Sequence, residues 1–290
     1  MCSFFFPFRV KEQRKRDFLV KKMGGSSSSS SEIFTLTIAP ILGFCLANFM
    51  FFSSLPELRR YRANGEWGDL NAHPYPIVVA NCVGWMMYGS VIHDYWVYVS
   101  NFPGVLVSVY AVMTAISLAR NEEKRRELEK MVLLSCALTS AIGFVLGVVM
   151  HDEGEAKRRF ASGIFCNVVL AVYYASPLSE MRQIIKNRDA SSLSWPMSVA
   201  ITVNGFSWAA YGFALKDWFL VSPNFFGGVL GVVQLSFLVM FNGGTRKKIV
   251  GGGSSGGDSG GGGGEGSGAA GIVANLSSED LIVSGQPRSS

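Results

Sequence analysis

Charge is scarce in this chain. Only 16% of its 290 residues are Asp, Glu, Lys or Arg, against about 25% in an ordinary soluble domain. The scarcity is also uneven. Seven stretches hold no charged side chain at all: 33–55, 75–92, 95–119, 131–150, 160–179, 190–215 and 218–241. Each reaches the roughly 18 residues needed to cross a hydrocarbon core. An ordinary soluble enzyme, a secreted disulfide scaffold and a disordered chain are excluded together. Cysteine is sparse too. The five, Cys2, Cys45, Cys82, Cys136 and Cys166, show no Cys-x-x-Cys spacing, and four sit inside apolar stretches. They read as small buried hydrophobes, with neither a metal site nor a redox pair. Histidine is limited to His73, His93 and His151, all at the margins of the apolar stretches. There is no phosphate-binding loop, no His-Glu-x-x-His and no nucleophile elbow, so nothing points to an enzyme, a metal or another cofactor.

What is present is a set of membrane helices. A lone strand in lipid cannot satisfy its backbone hydrogen bonds, so each apolar stretch reads as a helix. A closed barrel would need shorter, alternating segments. Seven crossings place the two ends of the chain on opposite sides. The net charge of +5 then marks membrane-flanking loops, and no nucleic-acid partner is implied. One set of loops, 56–74, 120–130 and 180–189 with Arg246, Lys247 and Lys248, carries 14 Lys and Arg; the other, 93–94, 151–159 and 216–217, carries 4. The positive-inside rule puts the first set and the C-terminus in the cytosol. Seven Lys and Arg in residues 1–31 oppose this, most of them too far from the first stretch to count. Residues 1–31 read as a basic, Ser-rich disordered tail with no secretory signal, and 242–290 as a disordered Gly/Ser-rich tail. The sequon at Asn275 would face the cytosol and stay unmodified.

A repeat organises the helices. Shifted by 123 residues without gaps, Ser53 meets Ser176, Leu55 meets Leu178, Glu57 meets Glu180 and Arg59 meets Arg182. Asn64 meets Asn187, Leu70 meets Leu193, Asn81 meets Asn204 and Trp85 meets Trp208. Tyr88-Gly89 meets Tyr211-Gly212, Asp94 meets Asp217, Asn101-Phe102 meets Asn224-Phe225, and Gly104 meets Gly227. The units are 33–119 and 160–241, with 120–159 between them as a linker carrying the seventh helix. Three is odd, so the linker helix gives both units the same orientation. The fold class is therefore an all-α membrane protein: seven transmembrane helices as two parallel three-helix bundles joined by a linker helix. Duplicated units with a site at their interface are a transporter layout.

Several residues suit a neutral polar solute. Asn offers an acceptor and two donors without carrying charge into the bilayer, and an indole offers a broad face to C–H groups. Asn101, Asn224, Trp85 and Trp208 are the candidates; as a bland alternative the amides would only bond between helices and the indoles only pack. Trp85 lies about ten residues into its stretch, too deep for an interfacial belt. Tyr88 and Tyr211 can donate to Asp217 and Asp94 across one end of the bundle, although both aspartates equally suit a tight turn. Pro74, Pro177 and Pro196, with Pro56 as a weaker fourth, lie near the other end. They suit bends, or plain helix starts. No acidic or basic residue lies deep in any stretch, which favours a uniporter over an ion-driven pump.

On these motifs the sequence resembles the SWEET sugar transporters, over roughly residues 33–241. The resemblance rests on Pro74-Tyr75-Pro76, Asn81-Cys82, Trp85, Tyr88-Gly89 and Asn101-Phe102-Pro103-Gly104. In the second half it rests on Ser176-Pro177-Leu178, Trp195-Pro196, Trp208 with Tyr211-Gly212, and Pro223-Asn224-Phe225-Phe226-Gly227. Parallel repeats are a known property of that family. The resemblance implies passive, bidirectional movement of a sugar by alternating access. It implies that Asn101, Asn224 and Trp208 line the pocket, that Tyr88 and Asp217 form an outer gate, and that the prolines are hinges. Trp85 stands where plant members more often carry a smaller residue; Trp at both this place and 208 resembles the bacterial half-size relatives, which dimerise. This favours a monosaccharide such as glucose and leaves a homo-oligomer open. Ser54 stands where the match to Pro177 calls for proline, with Pro56 two places later. The plasma membrane is the expected location. A related PQ-loop carrier of another solute is disfavoured by the absence of any Pro-Gln pair. A seven-helix receptor is disfavoured by the repeat and by missing Asp-Arg-Tyr and Asn-Pro-x-x-Tyr motifs.

Overall fold

The structure, a computed structural model, describes residues 34–67 and 71–241. The two tails, Lys21 and Lys22, Leu70, Arg246 to Lys248 and the sequon at Asn275 lie outside the described residues. Among the described residues all regular structure is helical. Helix α1 (Ala39–Ser53) is entered through a wide π-type turn at Phe34–Ile38. After Ser54, α2 (Leu55–Asn64) prolongs the same rod. Then come α3 (Pro74–Val91), α4 (Tyr95–Leu118), α5 (Glu122–Phe144, extended by a π-type turn at Val145–Val149), α6 (Glu155–Asn187), α7 (Trp195–Ala214) and α8 (Trp218–Phe241).

These residues form these helices for local reasons. Asn121 caps α5, its side-chain oxygen accepting from the Glu123 amide at 2.8 Å, and Glu122 and Glu123 complement the helix dipole there. Gly65, at φ 69°, closes α2 in the left-handed conformation that glycine adopts without strain. Helix α6 runs beyond the apolar stretch 160–179 at both ends. It thereby lifts Arg159 out of the expected loop and carries Glu180 into a buried position.

Five rods are long and apolar enough to cross a membrane: Phe34–Asn64, Tyr95–Leu118, Glu122–Val149, Glu155–Asn187 and Trp218–Phe241. The sequence suggests seven, and α3 and α7 fall short on apolarity. The reason is positional. They carry Asn81, Trp85, Tyr88, Asn204, Trp208 and Tyr211 on faces turned into the bundle, where the neighbours are protein. Lipid-facing apolarity is instead concentrated on rods such as α5, whose Leu133 and Leu134 point outward.

Within each unit the first helix packs on the third and the third on the second: α1 on α4 and α4 on α3, then α6 on α8 and α8 on α7. Between units, α1 packs on α7 and α6 packs on α3. The first helix of each unit thus meets the second helix of the other, and this reciprocity is what a pseudo-twofold relation between duplicated units requires. The linker helix α5 lies against α3 and α4, outside the paired units.

The repeat extends to single hydrogen bonds. His93 and Lys216, 123 residues apart, both sit at φ 55°. The following amides reach back alike: Asp94 to the Gly89 carbonyl and Asp217 to the Gly212 carbonyl, both at 2.8 Å. Each turn then becomes a helix start. Asp94 accepts from the Val97 amide at 3.2 Å, and Asp217 from the Phe219 and Leu220 amides at 3.1 and 3.3 Å. Glycine at 89 is forced by proximity, because a Cβ there would stand 2.9 Å from the Tyr98 nitrogen. Gly89→Ala should therefore force α3 and α4 apart and lower stability by about 1–3 kcal/mol. The melting temperature of the detergent-solubilised chain measures this, and an unchanged value would show that the turn has slack.

Candidate functional site

Between the two units lies a cavity of about 270 Å³. Its walls come from α1, α3 and α4 of the first unit and α6, α7 and α8 of the second. None of the described residues lining it is charged; its polar groups are amides, hydroxyls and indoles. Asn101, Asn224, Trp85 and Trp208 all line it.

The two halves present these groups alike. Asn101 donates one N–H to the Val97 carbonyl and Asn224 one to the Leu220 carbonyl, each at 2.8 Å and one helical turn back. That bond fixes each amide's rotamer and leaves a second N–H and an oxygen to offer. Trp85 stands edge-on to Tyr88, with centroids 5.6 Å apart, and Trp208 edge-on to Tyr211 at 6.0 Å. Both indoles are only 5–6% exposed. The Trp208 ring fits because it lies over Gly43, where a Cβ would stand 2.7 Å from its Nε1.

Two further lining residues were legible as repeat markers, and Asn81 also within a family motif, but not as site candidates. Asn81 and Asn204 lie four residues before Trp85 and Trp208, on the same helix face. Their side-chain oxygens are buried with no hydrogen-bond partner. A buried orphan carbonyl is costly, so these two atoms mark where a donor from outside the protein would be welcomed. The signal was the spacing Asn-x-x-x-Trp occurring twice at the same shift.

Beyond the indoles, on the side of the His93 and Lys216 turns, the helices close on one another. The Tyr88 hydroxyl donates to the Asp217 carboxylate, 2.7 Å from both oxygens. The Tyr211 hydroxyl donates to Asp94 Oδ2 at 2.6 Å. Each bond runs from the second helix of one unit to the aspartate of the other. Both carboxylates are 2% exposed. The aspartates are therefore turn residues and tyrosine acceptors at once, each helix cap fixing the carboxylate that the tyrosine meets. Arg159, which the sequence placed in a loop, joins the Tyr88–Asp217 pair. Its Nη2 lies 2.9 Å from Asp217 Oδ2, and its Nε donates to the Tyr88 hydroxyl at 3.3 Å. Nothing in the pattern of apolar stretches flags it.

The prolines separate. Pro74 and Pro177 are buried and line the cavity at its other end. Pro196 and Pro56 are exposed, each in the first turn of its helix, and neither lines the cavity. Beside Pro196 it is Met197 that faces the cavity, and beside Pro56 it is Ser54, the repeat partner of Pro177 and the junction of α1 and α2. Pro103 and Pro223 lie inside α4 and α8, next to the paired asparagines. Pro223 has no N–H, so the Phe219 carbonyl loses its helical donor. Asn167 on α6 supplies one at 3.2 Å, and the Tyr174 hydroxyl donates to the Pro223 carbonyl at 2.9 Å. The segment of α8 that carries Asn224 is thus braced against α6.

Known proteins share this architecture. The profile of a family described as "Sugar efflux transporter for intercellular exchange" matches residues 39–123 and 160–246, one match for each unit. The bidirectional sugar transporter SWEET7b of Oryza sativa subsp. indica is 29% identical over 196 residues, which are 67% of this chain and 73% of the relative. The sugar transporter SWEET1 of Homo sapiens is 26% identical over 185 residues, 64% of this chain and 81% of the relative. The solved structure of a eukaryotic SWEET transporter superposes with a TM-score of 0.67 at 21% identity, covering 74% of this chain and all of that one. The two matched units, the seven-rod bundle and the mirrored cavity agree on one assignment: this multi-pass integral membrane protein belongs to the SWEET (MtN3) family.

Proposed function

We propose that this chain is a facilitative sugar uniporter that works by alternating access. The observation that carries the reading is the cavity itself, uncharged and flanked on both sides by the same amides and indoles. A sugar has hydroxyls at its edge and C–H groups on its faces. Asn101, Asn224, Asn81 and Asn204 would pair with hydroxyls, and Trp85 and Trp208 would cover a face. A neutral cavity offers a travelling ion no counter-charge. Glu180, the buried acid of α6, is not among the lining residues. The relatives named as bidirectional sugar transporters support the same substrate class.

A volume of about 270 Å³ lies below the range of about 300–1,000 Å³ usual for drug-sized ligands. With two indoles closing it, the cavity suits a monosaccharide such as glucose better than a disaccharide. In this conformation Tyr88–Asp217 and Tyr211–Asp94 hold the turn side shut. Sugar would enter and leave on the proline side, and the turn side would open when both tyrosine bonds part as one unit rocks against the other. Pro74 and Pro177 are placed to serve as bends in that motion. The basic loops lie on the proline side, so on this reading that side and the C-terminus would face the cytosol, with the plasma membrane as the expected location.

Three measurements test this. In a host without hexose carriers the wild-type chain should take up labelled glucose, and Asn224→Ala should lose at least about tenfold of that rate at unchanged surface abundance. Equal uptake by both would remove Asn224 from the pocket. Trp85→Ser should raise the sucrose-to-glucose uptake ratio, whereas a constant ratio would show that Trp85 does not set cavity size. Glucose should equilibrate without accumulating, and a protonophore should leave the initial rate unchanged; accumulation abolished by the protonophore would refute the uniport mechanism.

A further inference from the structure

The two tyrosine–aspartate contacts are related by the repeat, but among the described residues the repeat position of Arg159 carries no charge. The position 123 residues earlier is Leu36, which packs on the apolar cluster holding Trp85, Tyr88 and Trp208 and offers no charge. Arg159 and Asp217 belong to the same unit, on α6 and at the start of α8, two helices that pack together. Tyr88 belongs to the other unit. The Asp217 carboxylate therefore takes two kinds of bond. Those from Arg159 and from the Phe219 and Leu220 amides lie inside the second unit. The bond from Tyr88 crosses between units. Rigid-body rocking can break only the crossing bond.

We propose that Arg159 is the positioning residue of this closure: it travels with Asp217, holds its carboxylate aimed at Tyr88, and steadies the tyrosine hydroxyl when it docks. The chemistry favours this division of labour. Asp217 is 2% exposed and sits where an uncompensated carboxylate is expensive. Arg159 is 35% exposed, so its charge keeps part of its hydration while its fork reaches inward. One guanidinium nitrogen faces Asp217 Oδ2 and another faces the Tyr88 oxygen, so the cation spans the acceptor and the donor of the crossing bond. After the units part, Asp217 still has its cation and its helix cap. The carboxylate is then ready for Tyr88 to return.

The inference rests on the closure described under the proposed function, and its test separates the two. Ser100 lines the cavity and is buried. In the full chain, Ser100→Cys reports entry of a membrane-impermeant thiol reagent applied on the turn side, with the chain lacking that substitution as background. Tyr88→Phe should speed labelling; if it does not, the closure reading fails and this proposal with it. Arg159→Gln should speed labelling by about tenfold, the usual cost of losing a bond to a charged group. Arg159→Lys, which keeps the charge at Asp217, should stay near the parental rate. The double variant Tyr88→Phe, Arg159→Gln should label no faster than the faster single variant, because both act on one bond. Rates that multiply would show that Arg159 only braces α6 on α8. No change in Arg159→Gln, or a Lys variant as fast as the Gln variant, would overturn the proposal. The same comparison in vesicles carrying the purified chain does not depend on delivery to the cell surface.

Discussion

Every polar group inside a membrane bundle must find its partner within the protein, because the lipid offers none. That constraint explains most of the side-chain geometry here. Asn101 and Asn224 each spend an N–H on a carbonyl one turn back. Thr114, Thr202, Ser90 and Ser100 do the same with their hydroxyls. The carbonyl orphaned by Pro223 is met by Asn167 from another helix. Against that background, the bare oxygens of Asn81 and Asn204 stand out. Both belong to side chains that line the central cavity, as does the similarly unpartnered Gln234 Oε1.

The duplication satisfies the constraint twice with one design, and its exceptions carry the asymmetry. Turn, helix cap, indole and amide agree between the units within a few tenths of an ångström. The internal prolines do not. Pro103 follows Asn101, whereas Pro223 precedes Asn224, so the two prolines fall on opposite sides of the amide. At the cavity's far end Pro177 sits inside an unbroken α6, while its partner Ser54 marks a junction between two helices, bonding back to the Phe51 carbonyl. The second unit is laced together by Asn167, Tyr174 and Arg159. The first is backed instead by the linker helix. Two halves with the same contacts across the cavity thus rest on different supports.

Much of this was legible in the sequence because apolar runs and repeats are one-dimensional signals. Runs without charge located the seven rods, and a single shift of 123 residues paired the turns, tyrosines, aspartates, indoles and amides before any coordinates. What escaped has a physical explanation in each case. Arg159 looked like a loop charge because a charged residue ends an apolar run even when the helix continues through it, as α6 does from Glu155. Asn81 and Asn204 were visible as a pair, but no single-sequence rule says that an amide oxygen lacks a donor. Helices α3 and α7 are less apolar than the other rods because several of their polar side chains face the cavity. Pro196 read as a candidate bend; it stands exposed in the first turn of α7, and a shift of one position at that helix start turns Met197 to the cavity instead.

The strength of the cavity's contacts bears on what a carrier needs. Hydrogen bonds between neutral groups contribute about 1 kcal/mol each, net of the water they replace. Four amides would then give about 4 kcal/mol, which corresponds to a dissociation constant of about 1 mM before the indole faces add to it and the loss of motion subtracts. A charged residue in the wall would tighten binding, but it would also hold the cargo and demand its own partner once the cargo left. The closure on the turn side reverses this choice. There the bonds involve carboxylates, which are individually stronger, and they join protein to protein. On the proposed reading, weak contacts to the solute and strong contacts between the units would leave the conformational change, and not the release of sugar, to set the pace of a cycle. A stronger hydrogen-bonding group at Asn101 or Asn224 would slow such a cycle even as it raised affinity, because binding energy spent on the resting complex must be recovered before the bundle can move.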